Sequence, residues 1–256
     1  MRRLAFPLLV AFLALPCLAW HTPVHQHITE AAWESLPAAL RGKLAAEEKN
    51  LIERYCLYPD DYRNAGAAER EKMRVYCERP DGQPIHNVTW QRSDDLASLA
   101  YTLNGMIRAT RAGDTRAAAQ HAGVLAHFLE DSTCPAHSLY PMDSPLELMK
   151  DLLPPPASKR DIQLHTVIET SAPAFDLASR APQSAGSSVA EAAQNLLDRA
   201  YRAIRHNRAG LIELVRAAYA DDEATMNRFR LEAARTGGGL LADACYTSLR
   251  LAEQGP

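Results

Sequence analysis

The sequence predicts an all-α protein, a single-domain helical bundle with a metal cleft. Three observations carry this. Apolar residues recur at three- and four-residue intervals, most plainly at Leu96, Leu99, Leu103 and Ile107, which is the signature of an amphipathic helix. No stretch alternates apolar and polar residues as a half-buried strand would, and no internal repeat marks a second domain. Histidines and carboxylates pair at i and i+4, in His127/Asp131 and again in His165/Glu169, the spacing that puts two side chains on one helix face.

In chain order, Arg2 and Arg3 precede an apolar run from Leu4 to Leu18, and Ala19 stands before Trp20. A basic start, a short apolar stretch and a small residue describe a signal peptide over residues 1–19, with secretion or periplasmic export implied. Cys17 leaves a lipoprotein alternative open. The mature domain then spans 20–256. From His27 an amphipathic helix is expected to about Glu48, with Ala31, Trp33, Leu36, Leu40 and Leu44 as its apolar face and a possible break at Pro37. A short helix is expected over Leu51–Leu57, then a turn at Tyr58-Pro59-Asp60-Asp61-Tyr62-Arg63. Charged and then Pro- and Gly-containing residues suggest an irregular excursion over 64–85.

Ser93 or Asp94 can cap the next helix, which runs to about Ala112. Gly113-Asp114 breaks it, and Asp114 or Thr115 caps an alanine-rich central helix that Pro135 stops. A short helix is expected at Leu146–Leu153, the His165 helix at about 158–171, a surface loop over 172–188, and then helices over 189–207, 208–220 and 222 to about 252. The last is expected to be interrupted at Gly237-Gly238-Gly239.

The net charge is −3 over 256 residues, and removal of Arg2 and Arg3 with the leader makes it about −5. No basic patch announces a nucleic-acid binder, although bound metals could supply local positive charge to a nuclease. Cys56, Cys77, Cys134 and Cys245 follow the leader. Export makes disulfides plausible, but four cysteines allow three pairings. Cys56–Cys77 would close a local loop and leave Cys134–Cys245.

The stretch His127-Phe128-Leu129-Glu130-Asp131-Ser132-Thr133-Cys134-Pro135-Ala136-His137 is the densest in ligand-type residues, and His165 and Glu169 follow it. Imidazole nitrogen and carboxylate oxygen are zinc donors, and helical bundles build such sites from facing helices. With Trp20, His27, Asp60 and His86 ahead of it, this order resembles the trinuclear zinc phosphodiesterase superfamily. That group holds the bacterial zinc phospholipases C and the zinc-dependent single-strand nucleases. The likeness covers essentially all of residues 20–256.

The resemblance implies three Zn²⁺ ions. One would take Asp60, His86, His127 and Asp131. A second would take His137, His165 and Glu169. The third would take His27, a bridging Asp131, and the amino nitrogen and carbonyl oxygen of Trp20. It also implies phosphodiester hydrolysis by zinc-bound hydroxide, with Asp60 as general base and Asp61 as the alternative alignment. Family members often carry Gly where this chain has Glu130, and Gln where it has Cys134.

Glu169 as the last ligand and Tyr58-Pro59-Asp60 favour a phospholipase C that cuts the glycerol–phosphate bond of phospholipids, in contact with a membrane surface. The short step from Trp20 to His27 suits a nuclease acting on nucleic acid about as well. A non-catalytic zinc-binding protein is the rival from another class. His21, His121 and His206 have no place in the pattern, and His25 stands as a residue behind a ligand. Trp33 and Trp90 are expected in the core.

Overall fold

The computed structural model describes residues 20, 22–137, 144–171, 174–177 and 180–254. The leader with Cys17, His21, and residues 138–143 of the connection after His137 lie outside them. The regular structure of the described residues is helical, apart from one isolated bridge between Glu78 and Pro84.

Everything is arranged around α7 (Thr115–Thr133). Asp114 caps it by accepting a hydrogen bond from the Ala117 amide at 2.9 Å, and Cys134 turns to extended backbone just ahead of Pro135. From Ala118 to Thr133 every residue is buried, as expected of a helix surrounded on all sides. Small side chains make that possible. A Cβ on Gly123 would stand 2.3 Å from the Tyr55 carbonyl carbon.

The helices around α7 are α1 (Thr22–Glu34), α2 (Ala38–Arg41), α3 (Glu48–Glu53), α4 (Tyr58–Asn64), α5 (Ala67–Cys77), α6 (Arg92–Arg111), α8 (Ser144–Leu152), α9 (Leu164–Glu169), α10 (Val189–Ala220) and α11 (Glu223–Glu253). Of these, α1, α3, α4, α5, α6, α10 and α11 touch α7 directly. One connected apolar core runs through them.

Several elements differ from the sequence expectation. The first helix begins at Thr22 rather than His27 and ends before Pro37. The expected turn at Tyr58 is helix α4. Pro59 sits in its first turn, where its missing N–H is harmless, and Asp60 and Asp61 lie at the positive end of the helix. Helix α5 occupies the expected excursion. Only Met73 and Cys77 of it are buried, too narrow a stripe to register as periodicity, while Glu69–Lys72 and Glu71–Arg74 pair along its exposed side.

The expected helices 189–207 and 208–220 are one, α10, and α11 passes through the triple glycine unbroken. The glycines serve close packing instead. A Cβ at Gly237 would meet Thr133 Oγ1 at 2.5 Å and Glu130 Cα at 3.4 Å. The expected disulfides are not formed either: Cys56, Cys77, Cys134 and Cys245 are buried free thiols.

Candidate metal centre

Four segments deliver the ligand-type side chains to the C-terminal half of α7. Helix α1 buries Val24, His25, Ile28, Thr29 and Ala32, a stripe at helical spacing that carries His25 inward. In α4, Asp60 is buried, while the next residue, Asp61, turns toward a separate surface groove shared with Tyr58, Lys72 and Tyr76.

His86 rides on the loop between α5 and α6. Buried Ile85 and Val88 anchor that loop, and the Thr89 amide donates to Asp95 Oδ1 at 2.7 Å. Trp90 stacks on Tyr201 with ring centres 4.9 Å apart, which holds its left-handed backbone at φ 65°. The short α9 brings His165 and Glu169. The buried Arg230 of α11 fastens its end, donating to the Ile168 carbonyl at 2.9 Å.

Three groups of donors result, each with its ligand atoms within 4.8 Å of one another: His25, His127 and Asp131; Asp60, His86 and His127; and Cys134, His137 and Glu169. Asp131 stands between the first two. Its Oδ1 lies 3.3 Å from His25 Nε2, and its Oδ2 lies 3.2 Å from His127 Nε2 and 3.5 Å from His86 Nδ1. His86 Nε2 is 3.1 Å from Asp60 Oδ1. In the third group His137 Nε2 lies 3.7 Å from Glu169 Oε2, and His165 Nδ1 lies 3.0 Å from Glu169 Oε1.

These residues fit a metal. Asp131 Oδ1 and Oδ2, His25 Nε2, His137 Nε2 and Glu169 Oε2 are buried with no hydrogen bond of good geometry, a cost of about 1–3 kcal/mol per group when nothing else binds it. Glu130, Asp131 and Glu169 are buried carboxylates whose ion-pair partners among the described residues are histidines. Further positive charge is therefore welcome there.

The histidines are oriented for ligation. His127 Nδ1 lies 2.9 Å from the Cys56 carbonyl, so that nitrogen carries the proton and Nε2 offers its lone pair. Burial opposes protonation of His25, but Asp131 and Glu130 on its two nitrogens outweigh this and push it up to about 10. A metal taking His25 Nε2 displaces that proton. Burial alone would raise the Asp131 carboxyl; His127, His137 and His25 instead hold it well below the usual carboxylate range.

The model of the zinc-dependent phospholipase C family matches residues 24–212. The chain belongs to the zinc-dependent phospholipase C family. No curated protein and no solved structure matches it.

In a zinc-dependent phospholipase C the metal is zinc, and the nitrogen and oxygen donors gathered here are zinc donors. The structure brings Asp60, His86, His127, Asp131, His137, His165 and Glu169 together. It does not bring His27. That side chain points to the other side of α1, where its Nε2 accepts from the Phe175 amide at 3.3 Å. His25 takes the inward position, because a helix that starts at Thr22 aligns it with Ile28 and Thr29. The apolar stripe beginning at Val24 was the signal for this.

Trp20 is fully buried, and its indole N–H donates to the Glu130 carbonyl at 3.1 Å. Glu130 was visible in the sequence only as a departure from the family. Its carboxylate holds His25 Nδ1 at 2.5 Å and accepts from Thr29 Oγ1 at 2.8 Å. Of the two histidines with no place in the pattern that the structure describes, His121 is buried away from the site and His206 is exposed, 2.9 Å from Glu232.

Proposed function

We propose that this protein is an exported phospholipase C that hydrolyses the glycerol–phosphate bond of phospholipids with zinc. The observation that carries the reading is Asp131, a buried carboxylate set between two histidine groups in a chain of this family. Zinc held there supplies Lewis acidity toward a phosphoryl oxygen and acidifies water at neutral pH.

The chain's own groups suit the rest of the reaction. Asp60 and His86 are among the more accessible ligand-type side chains, at 9% and 11% exposure, so substrate meets the centre on their side. Burial would raise the Asp60 carboxyl, but the His86 hydrogen bond and His127 outweigh it and keep it low. Asp60 is thus an ionised acceptor for a proton from attacking water.

A lipid substrate is supported by Leu148 and Leu152, which are exposed one turn apart on α8. That helix lies between His137 and His165 in the chain. Exposed apolar residues on one face of a helix can dip into a bilayer surface, and no helix among the described residues is long and apolar enough to cross one. Export follows from the leader, which we take to be cleaved before Trp20. The complete burial of Trp20, whose indole N–H donates to the Glu130 carbonyl of α7, supports this.

A single-strand nuclease is the second reading. It is favoured by the correction at His25, which shortens the step from Trp20 to the first histidine still further.

The test is a paired assay of the protein beginning at Trp20, loaded with zinc. Release of phosphorylated head group from phosphatidylcholine is compared with degradation of single-stranded RNA and DNA, each with and without chelator. Lipid cleavage that the chelator abolishes is the expected result. Chelator-sensitive nucleic-acid cleavage alone replaces the substrate. Bound zinc with no turnover of any phosphodiester makes the protein a non-catalytic zinc binder.

A further inference from the structure

We propose that Cys134 is a zinc ligand whose thiolate joins His137, His165 and Glu169 and closes the coordination of the ion held between α7 and α9. The proposal rests on zinc binding by this chain but not on the identity of its substrate. Cys134 is completely buried, and its sulfur lies within 4.8 Å of ligand atoms of both His137 and Glu169. Two buried atoms in that space, His137 Nε2 and Glu169 Oε2, have no hydrogen bond.

The backbone pins the residue there. Its amide donates to the Asp131 carbonyl at 3.0 Å, and its own carbonyl accepts from the His137 amide at 3.1 Å. Cys56 makes the contrast, because its Sγ is engaged with the Ile52 carbonyl at 3.0 Å and is directed along its own turn.

Without metal, burial and the nearby Glu169 and Asp131 carboxylates keep the Cys134 thiol protonated. Zinc replaces that proton, which leaves to solvent as the sulfur–zinc bond forms. Thiolate, two imidazoles and a carboxylate make four protein donors, the number that closes a tetrahedral site, whereas a catalytic zinc keeps one position open. The ion at Cys134 is then an anchor tying α9 to the end of α7. Handling of the phosphoryl group falls to the groups that share Asp131 and His127.

X-ray absorption of the zinc-loaded protein tests this. One sulfur at about 2.3 Å is expected among nitrogen and oxygen donors at about 2.0–2.1 Å. The cobalt-substituted protein should show a sulfur-to-metal charge-transfer band that Cys134→Ser loses and Cys245→Ser keeps. If Cys134→Ser does not fold, retention of the band in Cys56→Ser, Cys77→Ser and Cys245→Ser assigns it by elimination. Absence of any sulfur donor, or a band that survives Cys134→Ser, overturns the proposal even if the enzyme cleaves phospholipid. A sulfur donor lost in Cys134→Ser upholds it even if no lipid is cleaved.

Discussion

His121 and His127 lie on the same buried helix, less than two turns apart, and their surroundings differ completely. His121 meets Tyr76 and Tyr101 edge-on, with ring centres 5.0 and 5.9 Å away, and packs over Gly105, which has no Cβ to obstruct it. Burial, with Arg108 nearby, pushes its pKa down to about 4. His127 has a carbonyl on one nitrogen and carboxylates before the other. Burial alone therefore yields a neutral core histidine. A fixed tautomer and facing carboxylates make one a ligand.

The strongest way to break this contrast is to remove the carboxylate. Asp131→Asn should abolish phosphodiester turnover and lower zinc content, read by assay and elemental analysis. If zinc normally stands at a hundred times its Kd, its loss removes about 2.7 kcal/mol, or roughly 5–11 °C in Tm for a chain of this size. Normal turnover in this variant would end the metal-centre reading.

Next comes the support behind the ligand. Glu130→Gln should weaken zinc binding about 10–100-fold, because it removes the charge holding His25 Nδ1. His25→Ala should lower zinc content where His27→Ala leaves it unchanged. The reverse result would restore His27.

Between the two halves, Gly123→Ala drives a methyl into the Tyr55 backbone. It should cost about 1–3 kcal/mol in urea unfolding while zinc stoichiometry stays the same. A change within about 0.5 kcal/mol would mean the contact is looser than it looks.

A pH-dependent effect sits at His121, absent at neutral pH. Its folded pKa of about 4 lies below the ordinary 6.5, so between these values the unfolded chain binds a proton that the folded chain does not. The stability it contributes is intact above pH 6.5 and drains away as pH falls toward 4. His121→Gln should flatten that part of the pH–stability curve, and an unchanged slope would show that His121 titrates normally.

The same contrast explains what could be read in advance. Asp114, the alanine content and the i,i+4 pair made α7 and its ligand face legible, because those signals are local. His25 is not legible as the inward histidine because the sequence pattern starts the helix at His27, five residues after its true start at Thr22, which leaves His25 outside the helix. Asp60 stands out as a candidate ligand, but its helix reads as a turn because Pro59 can signal either. The triple glycine looked like a break because its reason, the close approach of α11 to Glu130 and Thr133, lies more than a hundred residues away. Glu130 and Cys134 could be seen only as deviations; what they hold is a matter of three-dimensional neighbours.

His127 is shared by two donor groups, and Asp131 sits between them. Substitutions in this cluster will therefore be strongly epistatic. Once Asp131 is gone, replacing His127 or His25 as well should cost little more, since the first change has already dismantled both groups. A survey of single substitutions would count several indispensable residues there. A survey of pairs would count one.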